Sequence, residues 1–206
     1  MLARPQLDES AILLSLFPSG YLGKFLEIGA DYGLDHLYPA LELGWKGIYC
    51  EPDPSSCAEL IKTTSPFADR VTIVNAAVAE TSGLADFHLC TNASGTSSLR
   101  EDWRDINRDT VPDPVIRTIV TNTIAVNQLF DRIGYDIDII SIDTEGSDMM
   151  LIENIPWAGL TQCKVVMFET GYTGFVSDSA RKILADNQFE FLHLTQSTGN
   201  TFYSRS

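Results

Sequence analysis

Two carboxylates set one residue apart, Asp143 and Glu145, follow the apolar run IDIISI and are closed off by Gly146. In an extended chain alternate residues point to one side, so both acids can face one site. Gly146 then permits a sharp exit into a following helix. Acids placed this way can take a proton from a substrate, anchor it, or ligate a hard cation. A third acid, Glu169, ends the apolar run KVVMFE. The competing role for Asp143 or Glu145 is to cap the next helix.

A second group of residues reads as a ligand cradle. The run KFLEIG leads into Glu27-Ile28-Gly29-Ala30-Asp31-Tyr32-Gly33. Its glycines have the spacing GxxxG rather than the GxGxxG of dinucleotide binders. An acid just before the first glycine does not suit a pyrophosphate; it suits a cationic or hydroxyl-bearing ligand. Glu51 ends the next apolar run, GIYCE, and an acid at such a strand end can accept hydrogen bonds from ribose hydroxyls. Asn75-Ala76-Ala77, after a third run, can edge an adenine ring. Each of these is also compatible with a plain turn or a solvated strand end, but together they converge on a nucleoside-bearing ligand.

The remaining polar candidates are less specific. His36, His88 and His193 lack paired-ligand spacing and read as structural, with His88 or His193 as an alternative base. Arg100, Arg104 and Arg108 recur every four residues and would form one basic face of a helix, but Glu101 and Asp105 pair with that stripe and make it a solvated face. Cys50, Cys57, Cys90 and Cys163 show no zinc spacing, which fits reduced thiols in a cytoplasmic protein.

Positioning these residues requires alternating strands and helices. Short apolar runs at KFLEIG, GIYCEP, VTIVNAAVA, ADFHLC, IDIISID and KVVMFE read as strands. Helices are expected at the N-terminus, over 33–43 (with Leu34, Leu37, Tyr38 and Leu41 on one face), after Asp53-Pro54, near 126–133, through Met149 to Glu153, and over SDSARKILADN. FEFLHLT and NTFYSR, separated by STGN, read as a closing antiparallel hairpin at a sheet edge. Repeated β-α-β units imply an α/β fold, with a mostly parallel, mixed sheet and helices on both faces. Ligands of such sheets bind outside the carboxyl ends of the strands, which is where these acids and glycines stand. Residues 91–117, small and polar and then densely charged, interrupt the alternation and read as a substrate loop or lid.

The 206 residues suit a single domain, 1–206. A formal charge of -14 disfavours nucleic acid and anionic membranes as partners. No apolar stretch is long enough to span a bilayer.

FLEIGADYG, YCEPDP, VNAAVA and IDIISIDTEGSDMMLIENI together resemble the FkbM-type methyltransferases, class I enzymes dependent on S-adenosylmethionine. The likeness runs from about residue 24 to 170; its most specific piece is IDTEGSD, and Ser97-Ser98-Leu99 resembles a family element within the insertion. The resemblance implies a Rossmann-like class I methyltransferase sandwich and O-methylation of a hydroxyl on a sugar or small natural product. By the same likeness Glu27, Gly29, Ala30 and Gly33 line the methionine end of the cofactor, Asp31 also binds it, Glu51 holds its ribose, Asn75 and Ala76 flank its adenine, and Asp143 touches both cofactor and reacting centre. Asp143 is the first candidate for the general base and Glu145 the second. A divalent metal on Asp143, Glu145 and Glu169 is possible chemistry but is not favoured. The alternatives are a nicotinamide-dependent oxidoreductase on a similar sheet, which the GxxxG spacing disfavours, and a cofactor-binding module without activity.

Overall fold

The computed structural model describes residues 5–206 apart from 35, 94, 103–110, 112, 172 and 173, with side chains from residue 9 onward. Its first half runs α1 (Pro5–Ser15), β1 (Lys24–Ile28), α2 (Tyr38–Glu42), β2 (Lys46–Cys50), α3 (Pro54–Thr63), β3 (Val71–Val74), β4 (Ala77–Ala79) and β5 (Gly83–Cys90). The second half runs β6 (Ile116–Ala125), α4 (Val126–Ile133), β7 (Ile139–Ile142), α5 (Asp148–Asn154), β8 (Val165–Glu169), α6 (Asp178–Asp186), β9 (Glu190–Thr195) and β10 (Asn200–Ser204).

Seven strands form one sheet in the order β3-β2-β1-β7-β8-β10-β9. The first five are mutually parallel, and β10 runs antiparallel to both β8 and β9. The expected Rossmann-like, mostly parallel sheet with a closing hairpin is therefore present. Chain order reverses at β1, whose neighbours are β2 and β7. A crevice opens at such a switch point because the connections leave to opposite sides of the sheet.

The central strands are buried on both faces, so their two-residue alternation sorts apolar side chains into two cores. Leu26, Ile28, Ile48, Cys50, Ile140, Ile142, Val166 and Phe168 pack against Leu129 and Phe130 of α4, Leu151 of α5 and Leu184 of α6. Phe25, Tyr49, Ile139, Val165 and Met167 pack on the other face against Leu13 of α1, Leu41 of α2 and Leu60 of α3. Register then aligns the strand ends. Ile28 sits opposite both Cys50 and Ile142, and Ile142 opposite Phe168. Gly29, Glu51, Asp143 and Glu169 consequently leave the sheet at one level.

Several local signals hold. Asp53 caps α3 by accepting from the Ser55 amide at 2.8 Å, with Pro54 in the first turn; such a cap is worth about 0.5–2 kcal/mol. Ser177 caps α6 through the Ala180 amide.

Three expectations need correction. The helix foreseen over 33–43 is only Tyr38–Glu42, and Leu34 is exposed. Pro39 has no amide hydrogen and clashes with a preceding helical turn, so a helix can begin beside it but not run through it. The run VTIVNAAVA is not one strand: it splits at Asn75 into β3 and β4, which belong to different sheets. The Asn75 side-chain amide donates to the Glu51 carbonyl at 2.7 Å, fixing the turn. Finally, residues 116–117 are not loop. They begin β6, a ten-residue strand not foreseen from sequence, which pairs with β4 and β5 in a separate three-stranded sheet. Arg104, Asp105 and Arg108 lie outside the described residues; Arg100 forms a 2.6 Å ion pair with Asp102. Among the described residues no helix is long and apolar enough to cross a membrane.

Candidate active site

The cleft at the switch point encloses about 730 Å³ out to its open mouth and is lined by Gly29, Asp31, Glu51, Ala76, Asp143 and Glu145 among others. Glu27, Ala30, Gly33 and Asn75 do not line it. Alternation explains Glu27: with Leu26 and Ile28 turned toward α4 and α5, Glu27 must turn toward α1 and α2, where it is buried. Asn75 acts on the wall through the turn described above, by its bond to the Glu51 carbonyl.

Gly29 has φ +83°, and its amide and that of Ala30 both donate to the Cys50 carbonyl, at 3.0 and 3.2 Å. A Cβ at Gly29 would stand 1.7 Å from the Asp143 carbonyl oxygen. The first glycine of the turn is thus required by how closely β1 approaches the end of β7, not by conformation alone.

At one end of the cleft Glu51 is buried, and its two carboxylate oxygens accept from the amides of Asp31 and Asp53 at 2.8 and 2.7 Å. Burial pushes its pKa up to about 8, against the opposing pull of those two amides. Two bonds from the backbone leave the Glu51 carboxyl with unused hydrogen-bonding capacity for ligand hydroxyls. The Asp31 carboxylate is itself fixed by the Ser56 hydroxyl at 2.7 Å. Ala76, Val78 and Phe87 give the neighbouring wall its apolar character.

At the other end β7 stops at Ile142, and Asp143, Glu145 and Glu169 bring carboxylate oxygens within 4.8 Å of one another. Asp143 and Glu145 do share a site, but not because the chain stays extended: Glu145 has φ +56° and Gly146 φ +114°. A turn, not a pleat, delivers the second acid. Asp148, the last acid of IDTEGSD, is buried beneath that turn. It accepts from the Thr144 hydroxyl at 2.9 Å and the Gly146 amide at 3.3 Å. Burial and then the Asp143 charge push Asp148 up to about 7. Burial, with Asp143 and Asp148 nearby, pushes Glu169 up to about 8. The spacing suits a hard cation, and it is equally the spacing at which carboxylates repel and retain protons.

The polar loop after β5 closes this end. The buried Ser98 hydroxyl donates to the Glu145 carbonyl at 2.8 Å, while Ser98 and His88 exchange backbone hydrogen bonds. Gly95, Ser97 and Leu99 line the cleft. Neither His88, 3.2 Å from the Thr118 hydroxyl, nor His193 on β9 lines it. The histidine that reaches the acids is His36, with Nε2 3.8 Å from Asp143 Oδ2. Its spacing in the sequence carries no signal of this, because α1 and the loop before α2 meet only in the fold.

Residues 27–193 match the model of the methyltransferase FkbM domain. A search of the curated proteins finds no match. Among solved structures, a METTL16 methyltransferase domain aligns with 98% of this chain and 82% of its own, at 11% identity and a TM-score of 0.51. That likeness shows the fold alone. Magnesium protoporphyrin IX methyltransferase from Synechocystis PCC 6803, with bound S-adenosylhomocysteine, aligns at 11% identity and TM-score 0.49 over 98% of this chain and 83% of that one. A protein of the NADB-Rossmann superfamily from Streptococcus agalactiae aligns at 15% identity and TM-score 0.47, over 100% and 69%.

Proposed function

We propose, for a chain that belongs to the FkbM methyltransferase family, that it uses S-adenosylmethionine to methylate a hydroxyl of a sugar or small natural product. The observation that carries the reading is the two-ended cleft: Glu51 held by two backbone amides at one end, and Asp143 and Glu145 gathered at the other. The residues present fit the cofactor. Glu51 offers acceptors for a ribose, Ala76 and Val78 an apolar wall for a base, and Gly29 a backbone with no room for a Cβ.

S-adenosylmethionine supplies a methyl group already activated on a sulfonium. What remains for the chain is to hold the acceptor oxygen in line, at about 3–3.5 Å from its target, and to receive the hydroxyl proton. Asp143, one-third exposed in the cleft, is the group for that proton, and Glu145 is the second candidate. A positioned general base contributes about 10²–10⁴-fold. The Asp143 carboxylate would receive the hydroxyl proton as the oxygen takes the methyl, and bound S-adenosylmethionine would supply that methyl and keep the electron pair of the broken S–CH₃ bond. Gly95, Ser97 and Leu99, in the loop after β5, form part of the wall and select the acceptor. The four buried free thiols support a reducing, cytoplasmic setting.

Calorimetric titration with S-adenosylmethionine and, separately, with NADH tests the assignment. Saturable binding of the former alone, weakened in Glu51→Ala, is expected. Binding of NADH, or of neither, overturns it.

A further inference from the structure

One buried ionic chain has no part in the scheme above. His36 and Glu9 are both buried, at 5% and 0% exposure. The His36 ring stands between two carboxylates: Nδ1 is 3.0 Å from Glu9 Oε2, and Nε2 is 3.8 Å from Asp143 Oδ2. Glu9 is fixed from its far side by the Thr198 hydroxyl in the β9–β10 turn and the Asn200 side-chain amide at the start of β10. The Ser10 hydroxyl donates to the His36 carbonyl and so ties the backbone of the same loop to α1. An isolated buried glutamate or imidazolium is costly, so each charge depends on the other.

We propose that His36 is a positioning residue that fixes the Asp143 carboxylate at the cleft, and that Glu9 of α1 in turn fixes His36. This rests on the reading of Asp143 as the general base. Among the described residues, the charged groups facing His36 are Glu9 from α1, Glu27 from β1 and Asp143 after β7. Those gathered about Asp143 are His36, Glu145, Asp148 and Glu169. His36 is thus the one cation set against that acid cluster among the groups named. Burial alone would lower its pKa, but the Asp143, Glu9 and Glu27 carboxylates raise it to about 10. Held as an imidazolium, it has no lone pair to take a proton and cannot replace Asp143 as base. Its part is to hold the Asp143 carboxylate pointed into the cleft, beside the acids gathered there. The N-terminal helix, which touches no cleft residue directly through Glu9, becomes part of the catalytic apparatus by way of this ring.

The test needs neither cofactor nor acceptor, so it can fail independently of the methyltransferase reading. In protein with ¹⁵N-labelled imidazoles, the His36 ring (assigned by its loss in His36→Gln) is followed by NMR from pH 5 to 10. An imidazolium signature persisting above pH 8 is expected. Asp143→Asn and Glu9→Gln should each lower the midpoint by about one pH unit or more, a tenfold or greater change in proton affinity. Coupling is reciprocal, so the drop in Asp143→Asn measures the interaction between the His36 ring and the Asp143 carboxylate. In His36→Gln the Asp143 carboxyl ¹³C resonance should move at pH 7.5. It should not move in Leu14→Ala, which loosens α1 without touching the chain of charges. A wild-type midpoint near 6.5, no response to Asp143→Asn, or equal movement in Leu14→Ala overturns the proposal. If His36→Gln does not fold, the Asp143→Asn arm still decides, because the ring can then be assigned from the two remaining histidines by substitution.

Discussion

Glu51 and Asp143 leave the sheet at the same level, on strands that flank β1, yet they are held in opposite ways. Glu51 accepts from two backbone amides, whose charge distribution does not change with pH and which are fixed by the turns after β1 and β2. Asp143 faces the His36 ring, whose charge depends on Glu9, and is crowded by Glu145, Asp148 and Glu169. The difference separates two jobs. A receptor for neutral hydroxyls needs fixed acceptors, which secondary structure provides. An acid that must accept a proton during turnover needs its charge set by neighbours, which only side chains from several elements can do.

The sharpest way to break that comparison is to damage both ends at once. Gly29→Ala places a methyl where the Asp143 carbonyl stands, 1.7 Å away, in a backbone conformation that alanine resists. Relief requires β1 and the end of β7 to part. The expected loss is on the order of a hundredfold in S-adenosylmethionine affinity, the equivalent of overpacking by some 3 kcal/mol. Calorimetry giving an affinity within threefold of the wild type would show that this contact does not control the cleft.

Separating the ends comes next. Once an acceptor is in hand, Asp143→Asn should lower kcat by about tenfold or more while leaving cofactor affinity largely intact. Glu51→Ala should do the reverse. Removing a buried hydrogen-bond partner, about 1–3 kcal/mol, predicts cofactor binding weakened by roughly 5- to 150-fold with turnover at saturation retained. If both variants changed the same kinetic parameter, the division of labour drawn here would be wrong.

The smallest effect concerns stability. Glu51 and Glu169 are raised to about 8, Asp148 to about 7 and His36 to about 10. Each therefore binds more protons in the folded than in the unfolded chain over part of the range between pH 4.5 and 10. The carboxyls lose that advantage as pH rises toward 8, and His36 loses its own between about 6.5 and 10. Stability of the ligand-free protein must fall with rising pH. A melting temperature lower by about 5 °C or more at pH 9 than at pH 6 is expected in thermal unfolding at constant ionic strength. A flat or rising curve would place these acids in a more solvated setting than the fold gives them.

Local chemistry made much of this readable in the chain. Buried parallel strands announce themselves as unbroken apolar runs, Asp53-Pro54 and Ser177 mark helix starts, and Gly29, Glu51 and Asp143 stand where strands must end. The failures have physical causes. Pro39 outweighed the helical periodicity of 33–43. Thr118 to Ala125 carry an alternating, β-branched pattern, TIVTNTIA, that marks β6, but it follows charged and proline-containing residues, and the expected loop at 91–117 takes in the strand's first two residues. Asn75 divided an apparent strand because its side chain bonds to the neighbouring turn rather than continuing the ladder.

The amino-acid sequence by itself determined the alternation of elements, the level of the sheet at which acids and glycines emerge, and the family. Those follow from short-range rules: two-residue and 3.6-residue periodicity, capping, and motifs contiguous in the chain. The tertiary structure alone decided that Glu27 turns away from the cleft, that Asp148 supports the turn carrying Glu145, and that His36 joins Glu9 to Asp143. Each depends on which face of a strand meets which helix and on contacts between segments distant in the chain. Burial then sets the charge of each group, and burial is a property of the packed molecule.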